Sequence, residues 1–301
     1  MISAVIHTYN EEENIDRNLS SLTWVDEIIL VDMGSRDKTL EIAGRYKTRI
    51  FAHAYTGYVE PARNFGIGKA KGDWILIIDA DEELPWSLSK KIRQLENIPD
   101  QDITFYRIPR KNVVFGKWLK HSGWWPDHQI RFFRKGSVTW GDEIHRVPVT
   151  RGIGRELEDR EELAIIHYHY STIGMYLNRI NRYSSIQAKE LFLNNKKFTP
   201  DLLIFPPVNE FVKRFFFLEG YKDGLHGLAV SLLQAFSELI VYLKLWELSK
   251  FFQMPVLLDR VYRNNKTVGR IFNYWLYNEL LKKPTGSLKS LKWRILRKLN
   301  S

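Results

Sequence analysis

Cysteine is absent from the 301 residues, which excludes a disulfide framework and thiolate zinc sites and is compatible with a reducing compartment. No basic stretch and long apolar run open the chain. Met1 leads straight into the short apolar segment 2–6, so no signal peptide is expected. Internal repeats and low-complexity linkers are missing, and residues 282–299 contain no acid at all. Positive charge is plentiful, with a formal net of +10, and aromatics make up 14% of the chain, 10 of them tryptophan. That balance calls for an anionic partner: nucleic acid, a phosphorylated small molecule or an acidic membrane surface. The basic residues gather in an apolar tail rather than along a domain face beside exposed aromatics, which argues against nucleic acid. At 44% hydrophobic, the chain can bury one large core, or one domain plus a helical appendage.

The densest signal is residues 72–84, GDWILIIDADEEL. A turn glycine precedes an apolar run, 74–78, with the length and branching of a strand buried on both faces. Four carboxylates follow at its carboxyl end, the edge where ligands bind in open α/β sheets. Asp79 and Asp81, one residue apart, can aim at one point, and two hard oxygen donors suit Mg²⁺ or Mn²⁺ carrying phosphate. The same acids also fit a solvated turn ahead of a helix begun by Pro85. Upstream, strand and helix alternate. A strand at 2–6 leads to a helix bearing Ile15, Leu19 and Leu22, with Asn10 as N-cap and Glu13 closing a capping box. A strand at 26–32 leads to a helix capped by Asp37, and a strand at 49–54 leads to a helix at 60–69. Four such repeats predict a doubly wound, mostly parallel sheet.

The segments HTYNEEENI (7–15), VDMGSRDKT (31–39) and ARNFGIGKAKGDWILIIDADEEL (62–84) resemble, in type, order and spacing, the motifs of family 2 inverting glycosyltransferases, whose nucleotide-diphospho-sugar fold is called GT-A. The resemblance implies a nucleoside held by Thr8, Tyr9, Glu11 and Asp32, a pyrophosphate near Arg63, a ribose on Asp79, and a Mg or Mn ion on Asp81 with Asp79. Taken alone, Asp32 also fits a turn or capping acid and Arg63 a solvated helix charge.

Past residue 95, a half-exposed strand is expected at 103–110, a long aromatic-rich loop at 111–126, and another strand at 130–134. Members of the lipopolysaccharide-core branch are similar here but carry Val-His-Glu where this chain has Ile144, His145 and Arg146. The resemblance places the acceptor near Trp124, Trp125 and His145, and makes Glu143 the first candidate for the catalytic base and Asp142 the second. His167 and His169 fall on one face of a strand. Each suits packing or hydrogen bonding, and His167 also the metal or pyrophosphate.

Beyond residue 200 the composition changes. The helical run 225–246 is apolar except for one stripe of Gly227, Ser231, Gln234, Glu238 and Tyr242, so nearly all of it must be covered by protein or lipid. Its length would cross a bilayer, but Gln234, Glu238 and Lys244 favour a monotopic or packed helix. Gly220, Asp223 and Gly224 match a G-x-x-D-G of the same branch. The tail interleaves Lys289, Lys292, Arg294, Arg297 and Lys298 with Leu288, Leu291, Trp293, Ile295 and Leu299, a pattern suited to an anionic leaflet or to an ordinary solvated helix. The expected organisation is a catalytic domain over 1–200, divided near 95, and a membrane-associating helical region over 201–301. Three functions fit: sugar transfer from a nucleotide sugar to a lipid-linked or lipopolysaccharide-core acceptor at the cytoplasmic membrane face, sugar transfer to a polyprenyl phosphate, or non-catalytic binding at a membrane surface.

Overall fold

A computed structural model describes residues 1–55, 59–97, 102–141, 147–282 and 287–300. The chain forms β1 (Ile2–Thr8), α1 (Ile15–Ser20), β2 (Glu27–Asp32), α2 (Thr39–Ala43), β3 (Thr48–Ala52), α3 (Glu60–Lys69), β4 (Trp74–Asp79), β5 (Glu82–Glu83) and α4 (Trp86–Glu96). It continues with β6 (Ile103–Ile108), β7 (Arg110–Val114), β8 (Lys117–Trp118), β9 (Gln129–Arg134), β10 (Val138–Thr139), β11 (Val149–Thr150), β12 (Ile153–Glu156) and β13 (Ile165–Tyr170). Helices α5 (Ile173–Leu193), α6 (Phe205–Val212), α7 (Leu225–Leu248), α8 (Leu258–Leu281) and α9 (Ser287–Leu299) complete it. Contacts divide the chain into two compact units, Met1–Val113 with Trp125–His169, and Val114–Trp124 with Tyr170–Ser301. The composition break near residue 200 lies inside the second unit.

In the first unit a seven-stranded sheet has the order β12-β6-β9-β4-β1-β2-β3. Strands β1 to β4 are parallel, and β1 and β4 are buried along almost their whole length, as the apolar runs predict. Strand β9 runs antiparallel between β4 and β6, with Leu76 opposite Phe132 and Ile108 opposite Gln129. This single reversal brings the start of β9 to the edge where β1, β2, β4 and β6 end. Two cores fill the faces of the sheet, one around Ile6, Leu30, Leu76 and Phe132 and the other around Val5, Val31, Ile77 and Phe133. Alternate residues of each strand supply opposite faces.

Several local expectations change. Helix α1 begins at Ile15 and its N-cap Asn14 makes no side-chain cap, so Asn10 does not cap it. Instead Asn10 sits at φ 54°, where its side-chain oxygen accepts from Arg36 N–H at 2.8 Å. The short polar side chain of asparagine makes that left-handed conformation accessible. Asp37 serves α2 from one residue further out, accepting from the Thr39 N–H at 3.0 Å. The strand expected at 103–110 is broken at Pro109, which has no N–H for a ladder, and β7, starting at Arg110, runs on into the stretch expected to be loop.

The second unit is helical. Val114, Leu119, Tyr170, Tyr176, Ile180 and Val230 form one cluster, with Trp124 packed against it. Asp223 accepts from the His121 N–H at 2.9 Å and from Lys120 N–H at 3.3 Å, while Lys117 Nζ donates to the Asp223 carbonyl at 2.7 Å, tying residues 114–124 to the turn before α7.

Helix α3 lies close on the sheet because Gly66 has no side chain. A Cβ there would sit 2.7 Å from Val5 Cγ1 and 2.9 Å from Val31 Cγ2. Gly66→Val is therefore expected to lower stability by about 2–3 kcal/mol through overpacking, despite the better helix propensity of valine over glycine. A shift of the urea midpoint at unchanged m-value checks this.

Candidate functional site

Thr8, Asp32 and Asp79 end three adjacent parallel strands, with Thr8 opposite Asp32 and His7 opposite Asp79. Around this edge the structure gathers Thr8, Tyr9, Glu11, Asp32, Arg63, Asp79, Asp81 and His167. Asp32 is buried and its carboxylate accepts from Gly34 N–H at 3.0 Å and Ser35 N–H at 3.1 Å, closing the turn after β2. Tyr9 stacks on Tyr55 with ring centroids 4.1 Å apart. Thr8 Oγ is buried with no hydrogen-bond partner among the described residues. His7 Nε2 lies 3.0 Å from the Ala62 carbonyl, and burial, reinforced by Arg63, lowers its pKa to about 3. It is therefore a neutral tether between β1 and α3.

The acidic turn is held by Arg63, a sequence candidate, and by charges the sequence did not single out. Asp79 Oδ1 accepts from Arg63 Nη2 at 2.9 Å and Oδ2 from Arg131 Nη2 at 2.5 Å. Burial pushes the Asp79 carboxyl up, but Arg131 and Arg63 outweigh it and hold it well below the usual carboxylate range. The same Arg131 nitrogen donates to Glu82 Oε1 at 2.5 Å, and Arg110 Nη1 donates to that oxygen at 3.1 Å. Glu82 Oε2 accepts the Asp79 N–H at 2.9 Å. Beneath the turn, the buried Asn18 amide donates to the carbonyls of Asp79 and Glu82 at 2.9 and 2.8 Å. Arg110 also grips Asp127 through Nε at 3.0 Å and Nη2 at 2.6 Å. In sequence, Arg131 is one more polar residue in IRFFR and Glu82 one more acid in a run of four. Only the placement of β9 beside β4 reveals them as partners.

Asp81 points elsewhere. Strand β5 pairs with β13, placing Glu82 opposite His167, and His167 Nε2 lies 3.3 Å from Asp81 Oδ2. The Asn112 amide nitrogen donates to Asp127 at 3.1 Å, which turns its oxygen to His167 Nδ1 at 2.7 Å. His167 Nδ1 is thus the donor in that bond, and Nε2 faces Asp81, with His169 Nδ1 at 3.0 Å. Asp79, expected as a second metal donor, instead has both oxygens on guanidiniums. Among the described residues no cluster of three His, Cys, Asp or Glu forms a cage for an ion. One carboxylate and one imidazole do fit a hard divalent ion that takes its other ligands from phosphate oxygens.

A cavity of about 370 Å³ opens beside Asp79, walled by Arg63, Arg107, Arg110, Arg131, Trp140 and Val147 among others. Arg63 Nη1 is buried without a partner among the described residues. Trp140 and Val147 stand on the wall at either end of the segment that carries Asp142, Glu143 and His145, three candidates outside the described residues. The remaining acceptor-side candidates fall in different units, Trp125 in the first and Trp124 in the second, where Trp124 packs against an apolar cluster.

Glu11 accepts from Asn14 Nδ2 at 2.8 Å, and burial, aided by Asp81, Asp37 and Asp79, pushes its carboxyl up to about 7. A carboxyl raised in the fold costs stability as it ionises. The loss builds from pH 4.5 to about 7 and is complete above that. Glu11→Gln is expected to flatten this pH dependence, by at most about 3 kcal/mol at pH 8, in denaturant titrations across that range. Arg131→Met strips the compensation from Asp79 and Glu82 and is expected to cost about 3–5 kcal/mol at neutral pH, measured the same way.

Residues 3–160 match the family model for glycosyl transferase family 2. A glycosyltransferase of Rickettsia typhi is 30% identical over 264 residues, covering 82% of this chain and 87% of the relative. The lipopolysaccharide core biosynthesis glycosyltransferase LpsC of Rhizobium meliloti is 24% identical over 233 residues, covering 75% and 84%. Among solved structures, S. aureus TarS in complex with UDP is similar over 85% of this chain and 94% of that one, at 15% identity and a TM-score of 0.44. With the family model spanning more than half the chain and a relative this near along most of its length, the chain belongs to glycosyl transferase family 2, a glycosyltransferase on the GT-A fold.

Proposed function

We propose that this protein transfers a sugar, with inversion, from a nucleotide-diphosphate donor to a lipid-linked or lipopolysaccharide-core saccharide at the cytoplasmic face of a membrane. The observation that carries this is the acidic turn at the carboxyl edge of β4, with Asp79 fixed by two arginines and Asp81 left facing His167. Tyr9, Glu11 and Asp32 surround the nucleoside end of the same edge, and Thr8 Oγ and Arg63 Nη1 offer unsatisfied polar atoms for the donor. Lipopolysaccharide-core chemistry rests on kinship with LpsC.

Arg63 and Arg131 orient Asp79 and present positive charge toward the diphosphate as the anomeric bond breaks. Asp81 and His167 would hold a Mg or Mn ion, which when bound supplies Lewis-acid neutralisation of the leaving diphosphate. The solved glucosyl-3-phosphoglycerate synthase of Mycobacterium tuberculosis, to which this chain is also similar, was crystallised with Mn²⁺ and UDP-glucose. Glu143, with Asp142 second, takes the proton of the acceptor hydroxyl in line with the departing group. Its segment begins and ends at the cavity wall. The guanidinium-rich cavity also favours a second acceptor, a polyprenyl phosphate. Such an acceptor is already anionic and needs no base.

Two measurements test these assignments. Thermal stabilisation by nucleotide diphosphates is expected to require Mn²⁺ or Mg²⁺ and to vanish in Asp81→Ala, whereas stabilisation without metal and unchanged in that variant would remove the ion from the site. Glu143→Gln is expected to lower kcat by about 10²–10⁴-fold on a saccharide acceptor with KM nearly unchanged. An unchanged kcat would favour the phosphate acceptor.

A further inference from the structure

Helix α9 leaves a regular apolar stripe facing away from the helix it packs against. Ser290, Trp293, Leu296 and Asn300 form the partly covered side toward α8, where Asn278 accepts from Arg297 at 3.1 Å. On the opposite side, Leu288, Leu291, Ile295 and Leu299 fall within one narrow stripe at helical spacing and are 84%, 56%, 53% and 70% exposed. Lys289, Lys292 and Arg294 flank the stripe and are exposed. A helix lying in the plane of a bilayer places its apolar stripe downward and its long basic side chains at the headgroups.

Two further segments of the same unit share this polarity. Residues 251–258, FFQMPVLL, carry no charge, and Phe252, Val256, Leu257 and Leu258 are all exposed. The loop is held in shape by Trp246, whose indole N–H donates to the Phe252 carbonyl at 3.0 Å. Helix α7 turns its polar stripe inward, with Ser231 Oγ donating to the Gly227 carbonyl at 2.6 Å and Gln234 donating to Tyr176, while Leu225, Leu232 and Phe236 are exposed on the far side.

We infer that the outward stripe of α9, together with the 251–258 loop, is an in-plane docking surface for an anionic phospholipid bilayer. Charge selects this occupant. The chain has no acid from 282 to its end, so a second copy laid on the stripe would set Lys289, Lys292 and Arg294 against their own kind, whereas an anionic leaflet neutralises them. The inference gives the proposed membrane partner a definite surface and does not depend on the transfer chemistry. It assigns the contact to an in-plane face even though α7 is, among the described residues, the helix long and apolar enough to cross a bilayer.

Co-sedimentation of the intact protein with phosphatidylglycerol–phosphatidylethanolamine vesicles, against phosphatidylcholine alone, tests it. The expected result is salt-sensitive binding to the anionic vesicles that falls about tenfold or more in Leu291→Asp/Ile295→Asp and in Val256→Asp/Leu257→Asp. Lys289→Glu/Lys292→Glu is expected to remove the preference for anionic lipid. Undiminished vesicle binding by Leu291→Asp/Ile295→Asp, or no binding by the parent protein, overturns the inference. So does a parent dimer in sedimentation equilibrium that this variant dissociates, because a second copy would then cover the stripe. Nucleotide-diphosphate stabilisation, measured on every variant, reports the donor site and the fold separately, so failure of docking and failure of the transferase assignment are read on different axes.

Discussion

One guanidinium, that of Arg131, is shared between two carboxylates at the end of the central strand, and the shape of the site follows from it. Arg131 and Glu82 are almost wholly removed from water. Burying charges is expensive, and close pairing offsets most of the expense here, although Arg131 Nε and Arg63 Nη1 are buried without a partner among the described residues. Here Glu82 receives Arg131, Arg110 and the Asp79 N–H, and Asp79 receives Arg63 and Arg131. Such a network tolerates little movement. The turn from Asp79 to Glu82 is therefore rigid, β5 has a fixed edge, and β13 can pair with it to bring His167 to Asp81.

This arrangement divides labour between the two acids of the D-x-D. Asp79 is committed to arginines and helps to fix the geometry, while Asp81, about a quarter exposed and facing an imidazole, has oxygens not taken by guanidiniums. Electrostatics also explains how an anion can approach a turn so rich in carboxylates. Asp79 and Glu82 are neutralised in place by Arg63, Arg110 and Arg131, and Glu11 holds its proton to about neutral pH because it is buried near other acids. In the proposed transfer, an incoming diphosphate would meet the guanidiniums on the cavity wall.

The parallel half of the fold is legible because β1, β2 and β4 are largely apolar runs separated by turns, and α3 falls at 60–69 as the sequence predicts. Asp32, Asp79 and Asp81 were legible as strand-end acids. Residues whose meaning lies in long-range pairing were not. Arg131 lies 52 residues from Asp79, and Asn18 lies 61 residues from the carbonyl it holds. No local periodicity encodes those distances. Pro109 was visible in the sequence, but the alternation around it masked the break between β6 and β7. Asn10 reads as a cap in the sequence because a capping asparagine and a left-handed asparagine have the same local signature, and the contact with Arg36 that decides between them comes from another loop.

Periodicity also states that a helix is two-sided without stating which side faces in. For α7 and α9 both stripes could be seen in the sequence, and the structure resolves their direction in the same sense. In α7, Gly227 lets the helix approach the Gly220 carbonyl so closely that a Cβ would stand 1.8 Å from it, and the polar stripe is drawn inward by that approach. In α9, asparagines of α8 engage Arg297 and Asn300 and leave Leu288, Leu291, Ile295 and Leu299 outside. A water-soluble helical unit gains by the opposite arrangement in each case. Two helices with unrelated sequences, of 24 and 13 residues, both present apolar side chains outward, and the proposed docking on an anionic bilayer would account for both with one external condition.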